Sequence, residues 1–224
     1  MEGHQGKLSG RNLAPSSVAG TNAGWRHARA AMSFAGASAV SAALILLASA
    51  IFIVVFFATD TEAWGRANDA TIALFAALMI APAIEIYRRY EPGSGRALGV
   101  CTFVGIAGML VIVVTSALTA AAMLDWLLSA KIGAVGFGGF LIWMAAASVL
   151  IVRRGGLPDS LGRFGLVTVG IVAVAVGLTI RHIRVHGSLS GGIRPPTSIW
   201  VVFAIAFLCF PAWTVWLGIS LMHP

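Results

Sequence analysis

Continuous apolar runs, separated by short polar stretches, dominate the chain after residue 31. Each run meets or nearly meets the length of about 20 apolar residues that a membrane-spanning helix needs. The runs do not alternate between apolar and polar positions, so they favour helices over the strands of a membrane barrel. The pattern predicts an all-α, polytopic bundle with six spans, at about Met32–Ala58, Asp69–Tyr87, Ala97–Met123, Ile132–Val152, Phe164–Ile180 and Ser198–Leu221.

Composition supports the same class of protein. Only 10% of the 224 residues are charged, whereas soluble domains average about a quarter. Residues 1–30 are rich in Gly, Ser and basic side chains, and we expect them to form a flexible cytosolic tail. Residues 31–224 then form one transmembrane domain.

The net charge of +7 concerns membrane topology. The basic residues lie in the tail and loops, where they hold helix ends at anionic lipid, so membrane lipids and not nucleic acid are the expected partners. The positive-inside rule predicts cytosolic N and C termini and a multi-pass protein of the plasma or inner membrane. Ten of the 15 Lys and Arg fall on the predicted cytosolic side: Lys7, Arg11, Arg26, Arg29, Arg88, Arg89, Arg96, Arg153, Arg154 and Arg163.

Stripes of small residues predict where helices approach each other. Lipid provides no hydrophobic drive between helices, so small side chains mark close contacts. We interpret these stripes as packing faces of the bundle, with a face for another membrane protein as the alternative. They comprise Ala31, Ala35, Ala39 and Ala43 in the first span, Ala73, Ala77 and Ala81 in the second, and Ala173 and Gly177 in the fifth.

Glu85 is the acidic residue that invites a functional hypothesis, because it lies inside the second predicted span. It continues the stripe of Ala77 and Ala81, which predicts that it faces neighbouring helices. The alternative is a helix salt bridge with Arg88 or Arg89, three and four residues further on.

Two other acids have a structural interpretation. Asp69 is a weak binding candidate, but its place just before the second apolar run favours a helix N-cap. Asp125, beside Trp126, is typical of a turn at the membrane interface.

The loop after the fifth span departs from the positive-inside trend. It contains Arg181, His182, Arg184, His186 and Arg194. The arginines are candidates for binding an anion or a lipid headgroup, with pairing to outer acids as the alternative. If the helix continues, His182 and His186 share a face, but two histidines alone specify no metal. No metal and no cofactor are predicted.

Two segments carry a resemblance. Trp64-Gly65-Arg66-Ala67-Asn68-Asp69-Ala70 leads into the second span, and Gly156-Leu157-Pro158 with Leu161-Gly162 leads into the fifth. With the six-span layout, they resemble small bacterial integral membrane proteins of unknown function. The resemblance implies the fold, and it brings no activity or catalytic residue with it.

Three functions remain open from the sequence. The preferred one is a structural, interaction or regulatory subunit with a membrane-protein partner, because familiar catalytic motifs are absent. The first alternative is a small-molecule or ion carrier, or its substrate-binding membrane subunit, with a pocket near Glu85 or Arg181. The second is an intramembrane lipid-modifying enzyme, which needs Asp69, Asp125, His182 and His186 to converge.

Overall fold

The computed structural model describes residues 18–186 and 197–223, with side chains from residue 30 onward except at 92–95 and 183–200. This part of the chain consists of helices joined by short turns and contains no strand. Its five helices are α1 (Val18–Thr59), α2 (Glu62–Ala120), α3 (Trp126–Arg154), α4 (Asp159–His186) and α5 (Thr197–Met222).

Six segments of these helices are long and apolar enough to cross a membrane, which confirms the predicted helical bundle. The helices extend beyond the apolar runs at most ends, because charged and aromatic residues continue each helix past its lipid-facing part. The six segments are Ala30–Thr59, Glu62–Glu91, Arg96–Ala120, Trp126–Arg154, Asp159–His182 and Val201–Met222.

Helix α2 supplies two of these segments because the chain reverses within it. The ring of Tyr87 lies 3.8 Å from the position that a Cβ on Gly99 would take. In a straight helix those residues would be about 18 Å apart along the axis. Arg66, near the start of α2, and Thr119, near its end, line the same cleft. The two arms of α2 are Glu62–Glu91 and Arg96–Ala120, and they run side by side.

The bundle has two ends, named here after residues in their turns. The Asp60 end holds the α1–α2 turn, the α2–α3 turn and the last residues of α4. The Gly155 end holds the α3–α4 turn and the reversal within α2. Which end faces the cytosol remains the prediction made from the charges. The predicted flexible tail also stays a prediction, since residues 1–17 lie outside the description and α1 begins at Val18.

The main helix contacts form a closed ring in the order α1, α2, α3, α4, α5 and back to α1. Aromatic side chains fill its centre. Phe75, Phe140 and Phe210 come from three helices, and their ring centroids lie 5.3–6.0 Å apart. About one turn closer to the Gly155 end, the fully buried Trp143 and Trp213 pack edge to face, with their ring centroids 6.2 Å apart. Trp143 is therefore a packing residue of the core.

Small residues mark only some of the predicted seams. In α1, Ala35, Ala39 and Ala43 are buried, as predicted. In the second span Ala73 is buried but Ala77 is exposed, so the predicted packing stripe is wrong at Ala77. In the fifth span Ala173 and Gly177 are both exposed, so this pair is not a packing face of the bundle, and the alternative of a face for another membrane protein stays open. In these spans a different set of positions, spaced by three or four residues, faces the ring, and a stripe of small residues does not by itself fix which side of a helix is buried.

The closest backbone approaches involve glycines. A Cβ on Gly136 of α3 would lie 2.7 Å from the carbonyl oxygen of Gly108 in α2. In α5, a Cβ on Gly218 would lie 2.6 Å from the carbonyl oxygen of Gly36 in α1. Here the lack of a side chain lets two helices touch backbone to backbone.

Candidate functional site

A cleft of about 390 Å³ lies at the Asp60 end, between α1, α2 and the turn into α3. Charged side chains from separate parts of the fold line this cleft. Glu62, Arg66 and Asp69 enter from the first turns of α2, and Asp125 enters from the α2–α3 turn. The remaining lining residues are Phe56, Gly65, Thr119, Ala122, Met123, Leu124 and Trp126.

Each charged group of this cleft has a local partner. Glu62 accepts from Arg66 at 2.7 Å, one helical turn away, and both side chains are exposed, so the pair adds little stability. Asp125 caps α3 by accepting from the backbone N–H of Leu128 at 3.1 Å. Asp69 is half-buried beside the polar side chain of Asn68. The structure therefore places Asp125 in a turn, as predicted, where it caps α3.

The predicted N-cap role of Asp69 is wrong. Helix α2 begins a full seven residues earlier, at Glu62, and Thr61 occupies its N-cap position. The helix extends because its first turns pack on α1: Trp64 stacks on Phe52 at 5.7 Å. The Gly65 position lies against the ring of Phe56.

A buried hydrogen bond completes this packing. The hydroxyl of Ser49 in α1 donates to Oδ1 of Asn68 in α2 at 2.7 Å. Trp64, Gly65, Arg66, Asn68 and Asp69 thus all have structural contacts between α1 and α2 or within α2. The segment that carried one half of the resemblance is explained by the packing of this hairpin.

A second cavity, of about 210 Å³, lies inside the ring of helices and is wholly apolar. All five helices line it. Six of its eleven lining residues come from α4 and α5, so it borders the seam between these two helices. The lining consists of Leu46, Ile72, Phe75, Ile112, Phe137, Val172, Ala175, Phe203, Ala206, Phe207 and Phe210.

Glu85 lines neither of these two cavities. It is half-buried, at the edge of a face whose buried positions are Met79, Ala83 and Ile86. The expectation that it points to a neighbouring helix rested on the Ala77 stripe, which faces outward, so that reasoning was wrong.

The alternative salt bridge of Glu85 is also absent: within the described residues Glu85 makes no ion pair and no hydrogen bond. Arg88 is exposed. Arg89 points away, since its Nη2 donates to the carbonyl oxygen of Gly156 in the α3–α4 turn at 2.5 Å. Arg89 therefore makes a contact between α2 and the α3–α4 turn, and not the salt bridge with Glu85 that the sequence had indicated.

Arg89 belongs to a clamp at the Gly155 end that the sequence analysis missed. The hydroxyl of Tyr90 donates to the carbonyl oxygen of Gly155 at 2.7 Å, and Nη1 of Arg154 donates to the carbonyl oxygen of Tyr90 at 3.3 Å. Gly155 and Gly156 have φ of +68° and +81°, which glycine adopts without strain. The consecutive glycines Gly155 and Gly156, of which the second begins the resemblance segment before the fifth span, are the available signal for this turn.

The basic cluster after the fifth span divides into described and undescribed parts. Helix α4 continues to His186, as the shared-face expectation required. Arg181 is exposed and His182 is buried on the side that faces the ring. The side chains of Arg184 and His186, and the whole of Arg194, lie outside the described residues.

The groups needed for a lipid-modifying enzyme are only partly brought together. Asp69 and Asp125 line one cleft, but His182 is not among its lining residues. Over the described part of the chain, no group of three or more His, Cys, Asp or Glu side chains is arranged to hold a metal ion.

The fold defines a multi-pass helical membrane protein built on a closed ring with an apolar, aromatic centre. Comparison with protein-family models, with curated proteins and with solved structures gives no match. The resemblance to small six-span bacterial membrane proteins therefore stays an expectation.

Proposed function

We propose that this protein is a non-catalytic interaction subunit of the membrane, which binds a helix of a partner membrane protein through the outward face of α4. The main support is the way in which buried and exposed positions are distributed around α4. Its ring-facing positions, among them Thr168, Val172 and Ala175, are buried. The opposite face presents Gly170, Ala173 and Gly177, which are all exposed.

This outward face is open to a close approach. A Cβ placed on Gly170 or Gly177 would meet no atom within 4 Å. Positions spaced by three and four residues form a shallow groove along a helix, and in lipid such grooves favour contact between helices through van der Waals packing. Large apolar side chains flank it, including Leu166, Val167 and Val174.

The centre of the ring supports an interaction role over a carrier of polar solutes. Phe140, Trp143 and Trp213 are all buried. The side chain of Trp143 contacts both Phe140 and Trp213, so these three aromatic side chains fill the centre of the helix bundle. A carrier that uses Glu85 needs a polar cavity at that acid, and the two cavities described here do not contain it. We place the protein in the plasma or inner membrane, with both termini on the cytosolic side as the positive-inside count predicts.

The test is purification in mild detergent with quantification of co-purifying membrane proteins. We expect a stoichiometric partner with the natural chain and loss of that partner in Gly170→Leu and Gly177→Leu. Gly138→Leu on α3 is the matched control, because it makes the same change on another helix at a position where a Cβ also meets no atom within 4 Å.

The three variants should share one unfolding midpoint, since none of the changes touches the ring. A natural chain that is recovered only as a lone monomer would overturn the proposal. Partner recovery that is equal in Gly177→Leu and in the control would overturn the assignment to this face.

A further inference from the structure

The apolar cavity inside the ring has no role in the proposed partner contact, which lies on the other face of α4. Its lining offers no hydrogen-bonding side chain. Water requires two to four polar partners to occupy a cavity, so this one stays dry. An apolar group placed in this space of about 210 Å³ gains dispersion contacts with the side chains around it. The lining therefore suits an alkyl group and excludes a polar solute.

The depth of the cavity matches the end of a lipid chain. Ile72 and Phe75 lie 10 and 13 residues after the start of α2 at Glu62, which is about 15–20 Å along the helix axis. Phe137 lies 11 residues after the start of α3 at Trp126, about 17 Å along that helix. Half of a hydrocarbon core is about 15 Å, so the cavity is close to the middle of the bilayer.

The surface at the cavity's edge is accessible from lipid. Phe207, which lines the cavity, is 40% exposed, while the neighbouring Ala206 is 7% exposed. Phe203 is half-buried one turn away on the same helix. The α5 residues thus run continuously from the lipid-facing surface to the interior of the ring.

Arg181 lies at a depth in the membrane that suits an interaction with a lipid headgroup. Arg181 is exposed at the Asp60 end of α4, six residues beyond the cavity-lining Ala175, which is about 9 Å along the helix and about 120° around it. It lies on the outward face, one turn beyond Gly177, so a phosphate that it binds stays outside the ring while the end of the acyl chain enters between α4 and α5. Adding the reach of the arginine side chain places its guanidinium toward the membrane surface, where the phosphate of a phospholipid lies. Charge complementarity therefore selects an anionic phospholipid over an uncharged apolar molecule.

We infer that this cavity is a lipid site, which takes the distal part of one acyl chain of an anionic phospholipid whose phosphate pairs with Arg181. The chain enters across Phe207, at the seam between α4 and α5. The natural occupant is thus a bilayer lipid held inside the ring, in contrast to the lipids that surround any membrane protein.

The experiment uses the full chain in bilayer nanodiscs that contain a trace of phosphatidylglycerol with a photoreactive diazirine near the end of one acyl chain. After irradiation, the crosslinked residues are mapped by mass spectrometry. We expect crosslinks at the buried residues Val172, Ala175 and Ala206 that unlabelled phosphatidylglycerol displaces. Crosslinks confined to exposed residues such as Val174 and Leu208 would overturn the site.

Variants then separate the cavity from the outer surface. Ala175→Phe fills the cavity, and we expect it to lower crosslinking at the remaining cavity residues by about tenfold, equivalent to losing the burial of about two methylene groups. Val176→Phe adds an aromatic ring at the neighbouring exposed position, which belongs neither to the cavity nor to the partner face, and should leave the crosslinks unchanged. Ala206→Phe, with Ala204→Phe as its control, repeats the comparison on α5, so a misfolded α4 variant does not decide the result. Equal yields in cavity and control variants would overturn the proposal.

Arg181→Gln tests the headgroup. We expect the yield of buried crosslinks with the phosphatidylglycerol probe to fall by at least about fivefold, in line with loss of one exposed charge-assisted contact near the membrane surface. A phosphatidylcholine probe with the same diazirine chain should crosslink more weakly than phosphatidylglycerol in the natural chain. An unchanged yield in Arg181→Gln would overturn the role of Arg181.

Discussion

Gly36 of α1 and Gly218 of α5 meet backbone to backbone, and a Cβ on either would lie 2.6 Å from the carbonyl oxygen of the other. This contact closes the ring of helices, because α5 returns to α1 there. Real Cβ atoms do not approach oxygen so closely, and the atoms on both sides are backbone. A substitution at either glycine must therefore move a whole helix.

We expect Gly218→Ala to lower the free energy of unfolding by about 1–3 kcal/mol, the usual cost of forcing extra methyl groups into a packed interior. Gly170→Ala is the matched control, because a Cβ there meets no atom within 4 Å. The measurement is the midpoint of SDS-induced unfolding in mixed micelles. Equal midpoints for the two variants would contradict the close contact of α1 and α5.

Two fully buried serines should respond differently to the same change. Ser49 donates to Asn68 at 2.7 Å, whereas Ser148 Oγ has no hydrogen-bond partner among the described residues. We expect Ser49→Ala to cost about 0.5–1.5 kcal/mol. Ser148→Ala should be neutral or stabilising, because it removes an unsatisfied polar group. A larger loss in Ser148→Ala than in Ser49→Ala would show that these partners are assigned wrongly.

The clamp at the Gly155 end predicts a difference between two neighbouring tyrosines. Tyr90 is buried and its hydroxyl donates to Gly155, while Tyr87 donates to the exposed Glu91 at 3.2 Å. We expect Tyr90→Phe to destabilise the protein by about 1–2 kcal/mol, because loss of the hydroxyl removes the hydrogen-bond donor to the carbonyl oxygen of Gly155. Tyr87→Phe should change stability by less than about 0.5 kcal/mol. The same unfolding assay compares them, and the reverse order would contradict the clamp.

Glu85→Gln should leave both the unfolding midpoint and partner recovery unchanged, within about 0.5 kcal/mol for stability. The reason is that Glu85 is half-buried, lines neither cavity and makes no hydrogen bond or ion pair among the described residues. Arg89→Gln, which removes the bond to Gly156, is the contrasting variant and should destabilise. A strong effect of Glu85→Gln on partner binding would return this acid to the list of functional residues.

The apolar pattern determined the six spans, and the structure confirms them because hydrocarbon leaves helices as the way to satisfy every backbone group within one segment. The same pattern predicted the burial of Ala35, Ala39 and Ala43. It failed for Ala77, Ala173 and Gly177, since in lipid both faces of a helix are apolar and the sequence alone does not distinguish the packed face from the lipid face.

Only the tertiary structure decided what the polar residues do. Helix α2 begins at Glu62 because Trp64 and Asn68 find partners on α1, and this made Asp69 an interior helix residue. Arg89 does not pair with Glu85. It donates to the carbonyl oxygen of Gly156 in the α3–α4 turn, 67 residues away in sequence. The central cavity likewise arises from residues on all five helices. Spacing along the chain governs contacts within a helix, whereas partners from distant segments exist only once the ring has closed.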